Sequence, residues 1–238
     1  MRIKYTLIAG VLAALAAPVG AHAATLDFDT LGNGGQSSAG NITGNEFAEF
    51  GVLISSNRQL ALFDSNCGPD GSNSCTTVGT DSDLATGPTF GSANENRVLI
   101  MNGGPDAAPN DDPNGGKINF LFDSAVTFNA LSLIDLDEKG LFDKITVKFT
   151  FGDNTTQKYR GKALADRSTL LNPGFDGDNS VRDIRFDLAN VTEVDVRFKK
   201  VSGAIASADF DAPAPVTLTS DLPLLEAGLG GLALVRQV

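Results

Sequence analysis

Carboxylates are the side chains with which this sequence could do chemistry. Asp27 and Asp29 stand at the first strand-like segment, Glu46 and Glu49 precede GVLIS, and Asp64 follows LALF. Asp81 and Asp83 come next in DSDLATG, then Asp106, Asp111 and Asp112 in PDAAPNDDPNGG, and Asp135, Asp137 and Glu138 in IDLDEKG. Loops of this kind suit calcium, which takes six to eight oxygen ligands from carboxylates, amides and backbone carbonyls. The expected ligands of a structural Ca2+ are Asp29, Glu46, Asp81, Asp83, Asp135 and Asp137. No segment has EF-hand spacing, and solvated acidic loops are the plainer reading. Two carboxylates can also hydrolyse a glycosidic bond when about 5 to 9.5 Å apart, and Asp135, Asp137 and Glu138 are the densest group. On an extended strand, however, Asp135 and Asp137 share a face, which a wet strand end or a cation site explains without catalysis. No catalytic residue is therefore expected.

Composition narrows the chemistry further. The one histidine, His22, lies in a segment expected to be removed, so the mature chain has no imidazole for a general base, a Ser-His pair or a zinc site. With 29 acidic against 18 basic residues the net charge is −11, and loss of Arg2 and Lys4 with that segment makes it more negative. Nucleic acid is not an expected partner.

Residues 1–23 read as an export signal: Arg2 and Lys4, an apolar run from Thr6 to Ala17, a Pro18-Val19-Gly20 break, then Ala21-His22-Ala23 as an A-x-A cleavage site. The apolar run is short of the roughly 20 residues a membrane anchor needs. Cleavage after Ala23 leaves residues 24–212 as the exported domain, extracellular, at the cell surface or periplasmic. An oxidising compartment lets Cys67 and Cys75 close the GPDGSNS loop as a disulfide, whereas one C-x7-C supplies too few ligands for a metal site. Residues 213–238 are a Pro-containing linker and an apolar tail, LPLLEAGLGGLALVR, too short to span a membrane reliably and interrupted by Glu226.

The elements that must hold these side chains are strands. In KITVKFTF, Ile145, Val147, Phe149 and Phe151 share one face and Lys144, Thr146, Lys148 and Thr150 the other, as a half-buried strand requires. Ile118 to Phe122, Ile184 to Leu188 and Val194 to Phe198 repeat the alternation. With Leu26 to Phe28, Val52 to Ser55, Leu60 to Phe63, Val98 to Met101 and Val126 to Ile134 the strands number about nine, which predicts an all-β, two-sheet antiparallel β-sandwich. Fifteen phenylalanines and no tryptophan suit an apolar seam between sheets better than a sugar-stacking groove. No fixed repeat period supports a solenoid.

Two resemblances add to this. The last residues, with Val216 to Ser220 in the tag position and Leu222 to Arg236 as helix and basic end, resemble a degenerate PEP-CTERM sorting signal of the VPLPA type; Thr217 and Thr219 stand where that tag has prolines. That resemblance implies a membrane-embedded sorting protease as a partner. NEFAEFGV from Asn45, DSDL from Asp81, RVLI from Arg97, GGKI from Gly115, LIDLD from Leu133 and VSGAI from Val201 resemble the ectodomains that precede such tails, which are similar to galactose-binding-like jelly rolls. There an acidic residue commonly follows the final Ile; here Ala206 holds that place and Asp209 is the nearby candidate metal ligand. The expectation is a secreted, non-catalytic cell-surface or extracellular-matrix β-sandwich, calcium-stabilised and glycan-binding, with extracellular polysaccharide or matrix components as partners. Tyr159, Arg160 and the loop from Asn110 to Asn114 are its candidate glycan contacts. A carboxylate-dependent glycoside hydrolase and a purely structural matrix protein are the alternatives.

Overall fold

A computed structural model of the chain describes residues 21–66, 82–105, 109–136, 141–175 and 179–213. The sorting-like tail, most of the export signal, Cys67, Cys75, Asp81, Asp106, Asp137 and Glu138 lie outside the described residues. The first half supplies β1 (Ala21–Leu26), β2 (Gly40–Ile42), β3 (Val52–Ser56), β4 (Leu60–Asp64), β5 (Arg97–Met101) and the long β6 (Gly115–Ile134). After a short helix α1 (Leu141–Lys144) come β7 (Ile145–Phe151), β8 (Thr156–Arg160), the single turn α2 (Lys162–Ala165), β9 (Ser168–Leu170), the long β10 (Val181–Lys199) and β11 (Ala204–Pro213).

Four of the expected strands merge into two. Ile118 to Phe122 and Val126 to Ile134 are one strand, β6, because the chain stays extended through Asp123, Ser124 and Ala125 and the inward positions remain in phase across them. Likewise Ile184 to Leu188 and Val194 to Phe198 belong to β10, which pairs with β6 from Val181 opposite Ile134 to Lys199 opposite Gly115. The register of β10 slips between Arg185 and Glu193, where Asp187 and Asn190 adopt φ of 51° and 62°. Extra residues of this kind bend and twist a strand, and Asn and Asp tolerate the left-handed backbone better than most.

That bend divides one antiparallel hydrogen-bonded sheet into two layers. The halves Gly115 to Phe122 of β6 and Glu193 to Lys199 of β10 carry β3 on one side and β7 and β8 on the other. The remaining halves carry β11, with β1, β5, β4 and β2 beyond it, and β9. The result is the expected all-β antiparallel, sandwich-like fold, built from shared strands. β1 starts at Ala21, so its pairs Ala21 with Pro213, His22 with Ala212 and Ala23 with Asp211 fall before the expected cleavage point, while Ala24 to Leu26 pair with Phe210 to Ala208 after it.

Phenylalanine fills the seam. Phe128 lies 5.5 Å from Phe149 and 6.1 Å from Phe186, Phe122 lies 5.0 Å from Phe210, and Phe149 lies 4.8 Å from Phe186, so rings from both layers touch edge to face or tilted. A second apolar cluster sits behind β4 and β5, where Ala61, Phe63, Val98 and Ile100 meet Leu84, Ile134, Val181 and Ala204. Both faces of those strands are buried, and hence their sequences run apolar without alternation. Replacing the seam ring in Phe149→Ala is expected to cost about 3–5 kcal/mol. A lower urea midpoint at unchanged m value would measure it.

Candidate functional site

The described acidic residues expected to bind calcium lie on several elements, and two of them, Glu46 and Asp29, have their carboxylates engaged by N–H donors. Glu46 folds back on its own turn and accepts hydrogen bonds from Thr43 N at 2.9 Å and Gly44 N at 2.6 Å. Burial pushes the Glu46 carboxyl up, but these backbone donors outweigh it and hold the group below its ordinary value. Asp29 accepts Asn96 Nδ2 at 2.8 Å and Arg97 N at 2.9 Å, so both of its oxygens are engaged by N–H donors. Beside it Asp64 pairs with Arg97 at 2.7 Å, lining a cleft of about 310 Å3. Asp83 and Asp135 meet the consecutive residues Asn179 and Ser180. Asp83 O accepts Asn179 N at 2.8 Å, and Asp135 is buried at φ 63° with its N–H donating to Ser180 O. Asp209 lies on β11 with Oδ1 buried and without a hydrogen-bond partner. No three Asp, Glu, His or Cys side chains among the described residues gather as a metal-holding group. At Glu46 and Asp29 the N–H donors on the carboxylate oxygens are the wrong complement for a cation.

The loop from Asn110 to Asn114 is likewise self-satisfied. Asp111 Oδ2 accepts Gly203 N at 2.5 Å, and Asp112 accepts both N–H groups of Asn114 at 2.8 Å. Tyr159 is no sugar platform. Its ring is buried against Phe149 and Phe186, with the Arg167 guanidinium 4.7 Å from its centroid.

Sequence reasoning missed the outward face of the other layer. The strand register aligns its side chains in rows. One row runs Ser55, Asn119, Asp195, Lys148 and Lys158 across β3, β6, β10, β7 and β8. The next runs Lys117, Arg197, Thr146 and Arg160 across β6, β10, β7 and β8. On the other side come Leu53, Leu121, Glu193, Thr150 and Thr156. A cleft of about 550 Å3 opens over the basic rows, and a second of about 490 Å3 adjoins it through Lys117 and Arg197. Alternation alone puts Thr146, Lys148 and Arg197 on a wet face, but which neighbours they meet depends on pairing between segments far apart in sequence.

Asp195 organises this face. It takes Lys117 Nζ at 3.1 Å and Lys148 Nζ at 2.9 Å, while Asn119 Nδ2 donates to it at 2.8 Å and to Glu193 Oε1 at 2.5 Å. Thr150 Oγ1 donates to the other Glu193 oxygen at 3.0 Å. Burial raises the Asp195 carboxyl, yet hydrogen bonds from Lys148, Asn119 and Lys117 prevail and hold it below the usual carboxylate range. The same bond pushes Lys148 up against its own burial. A carboxyl kept ionised in this way is a poor general acid, so Asp195 is unsuited to be the proton donor of glycoside hydrolysis. Lys158, Arg160 and Arg197 have no ion-pair partner among the described residues. The face can therefore bind and orient through N–H donors and positive charge.

No family model matches the chain, and no curated protein matches it. Asp195→Asn is expected to cost about 1–2 kcal/mol near pH 7, since charged hydrogen bonds are lost at a partly exposed site. Because the folded-state carboxyl titrates below its unfolded value, its contribution is present above the ordinary carboxylate range and disappears as pH falls through the folded value. Urea denaturation against pH should show the gap between wild type and variant closing on the acid side.

Proposed function

We propose that this chain is a secreted, non-catalytic β-sandwich protein of the cell surface or extracellular matrix that binds polysaccharide on the outer face of β6, β10, β7 and β8. The observation that carries the reading is that open face, which is built on paired strands and lined by Lys158, Arg160 and Arg197, for which no ion-pair partner is found among the described residues. A long strand-built face fits an extended chain better than a small molecule, because it offers many weak contacts in place of one deep pocket. Arg160 lines this cleft and Asn114 the adjoining one, which supports these two among the expected glycan contacts. Export through residues 1–23 and recognition of the C-terminal tail by a membrane-embedded sorting protease belong to the same reading. So does a jelly-roll relationship to galactose-binding-like domains.

The full chain is expected to co-sediment with polysaccharide while releasing no new reducing ends over a long incubation. Release of reducing ends that Asp137→Asn abolishes would replace this reading with a carboxylate-dependent hydrolase.

Calcium stabilisation is the other part of the proposal, and its ligands would come from the loops that hold Asp81 and Asp137. Calcium at about 100 times its dissociation constant adds about 2.7 kcal/mol to a native-state site, a Tm rise of several degrees. A chelated sample that recovers no such rise on adding calcium removes the ion from the reading.

A further inference from the structure

We propose that the ligand of this face is an acidic polysaccharide, an extended chain of uronate sugars whose carboxylates lie on the lysines and arginines of β6, β10, β7 and β8. This rests on the polysaccharide-binding reading above and names the chemistry of its ligand.

Charge distribution is the first support. Lys117 and Arg197 line both clefts; Lys148, Lys158 and Arg160 line one of them and Arg58, Lys199 and Lys200 the other. Eight of the 18 basic residues thus line the two clefts of a chain with net charge −11, and Asp195 is the one carboxylate among the lining residues. Asp195 has no capacity left for the outer cations, since Lys117, Lys148 and Asn119 already occupy its oxygens.

The second support is energetic and independent of the count. Lys117 stands directly opposite Arg197, and Lys148 directly opposite Lys158, in the strand register. Like charges placed opposite one another across strands destabilise a sheet. Asp195 compensates one member of each pair, Lys117 and Lys148, and an anion lying across the strands would do the same for the other two, Arg197 and Lys158.

Ring chemistry and spacing narrow the anion. Tyr159 and Phe149 are buried, and so is Phe198, which lines the second cleft, so among the described lining residues of the two clefts no open ring offers a neutral sugar or an unpaired base a stacking surface. Neighbouring strands present their side chains roughly 4.8 Å apart, comparable to the repeat of one sugar in an extended chain. A uronate polymer carries one charge per sugar, so its carboxylates can reach Lys117, Arg197 and Arg160 along one row, passing over Thr146. Duplex DNA carries one charge per about 1.7 Å of axis, far denser than the rows.

The test uses the full chain with polygalacturonate, its fully methyl-esterified form and duplex DNA, each read by the dissociation constant at low and high salt. Polygalacturonate is expected to bind, to weaken about tenfold or more as salt screens the face, and to lose about tenfold or more on the double substitution Lys158→Glu with Arg160→Glu. Both replaced groups are exposed, and Lys158→Glu relieves the Lys148 repulsion, so the variant keeps its fold, which an unchanged Tm verifies. Equal binding of the methyl ester would overturn the acidic ligand and leave the polysaccharide reading standing. Failure of every polysaccharide to bind would remove both. Tighter binding of DNA, polygalacturonate binding untouched by the double substitution, or salt-sensitive self-association in place of glycan binding would each overturn the proposal.

Discussion

Because β6 and β10 are each long enough to run through both layers, their mutual pairing fixes the relation of every other element. β3, β7 and β8 hang on one pair of halves, and β11 and β9 on the other, so the seam can fill only where the paired strands bend together. The bend is set by the register slips of β10 around Asp187 and Asn190. Gly152 lets the β7–β8 turn approach that bend, since a Cβ there would lie 2.6 Å from Asn190 Oδ1. Rings from strands separated by the bend, such as Phe128 and Phe149, then meet face to edge and hold the layers closed.

The same pairing determines the electrostatics of the open face. Lys117, Lys148, Arg160 and Arg197 come from four strands and become neighbours only because β6, β10, β7 and β8 pair in one register. A slip of a single residue would turn every one of them toward the phenylalanine seam. Asp195, held by two lysines and Asn119, makes the correct register electrostatically favourable as well as apolar in the right places.

Much of the fold was legible in alternation. KITVKFTF is β7 residue for residue from Ile145, and the strand starting at Val52 extends one residue past its expected end at Ser55. β8 was not legible because it lies at the edge of its layer: TQKYR is exposed except at Tyr159, so no period-two apolar signal exists to read. The first strand ends at Leu26, before the expected Phe28, because Phe28 turns to φ 61° while its ring packs 5.5 Å from Phe47. Acidic loops are ambiguous in sequence for a physical reason. Asp112 reaching Asn114 and Asp153 reaching Thr155 are short-range turn bonds, made by the same residue types that ligate calcium. The basic face stayed hidden because its residues belong together only through long-range register.

β8 has one further consequence, which concerns solubility. Its free edge presents unpaired backbone groups, a template on which a strand of another chain can add. Lys158 and Arg160 on that strand make the addition of a second copy's β8 carry like charges into contact, which disfavours it. An anion that neutralised them would also lift this repulsion, so dense occupancy of the face by a polyanion would bring neighbouring copies' edges within reach of one another.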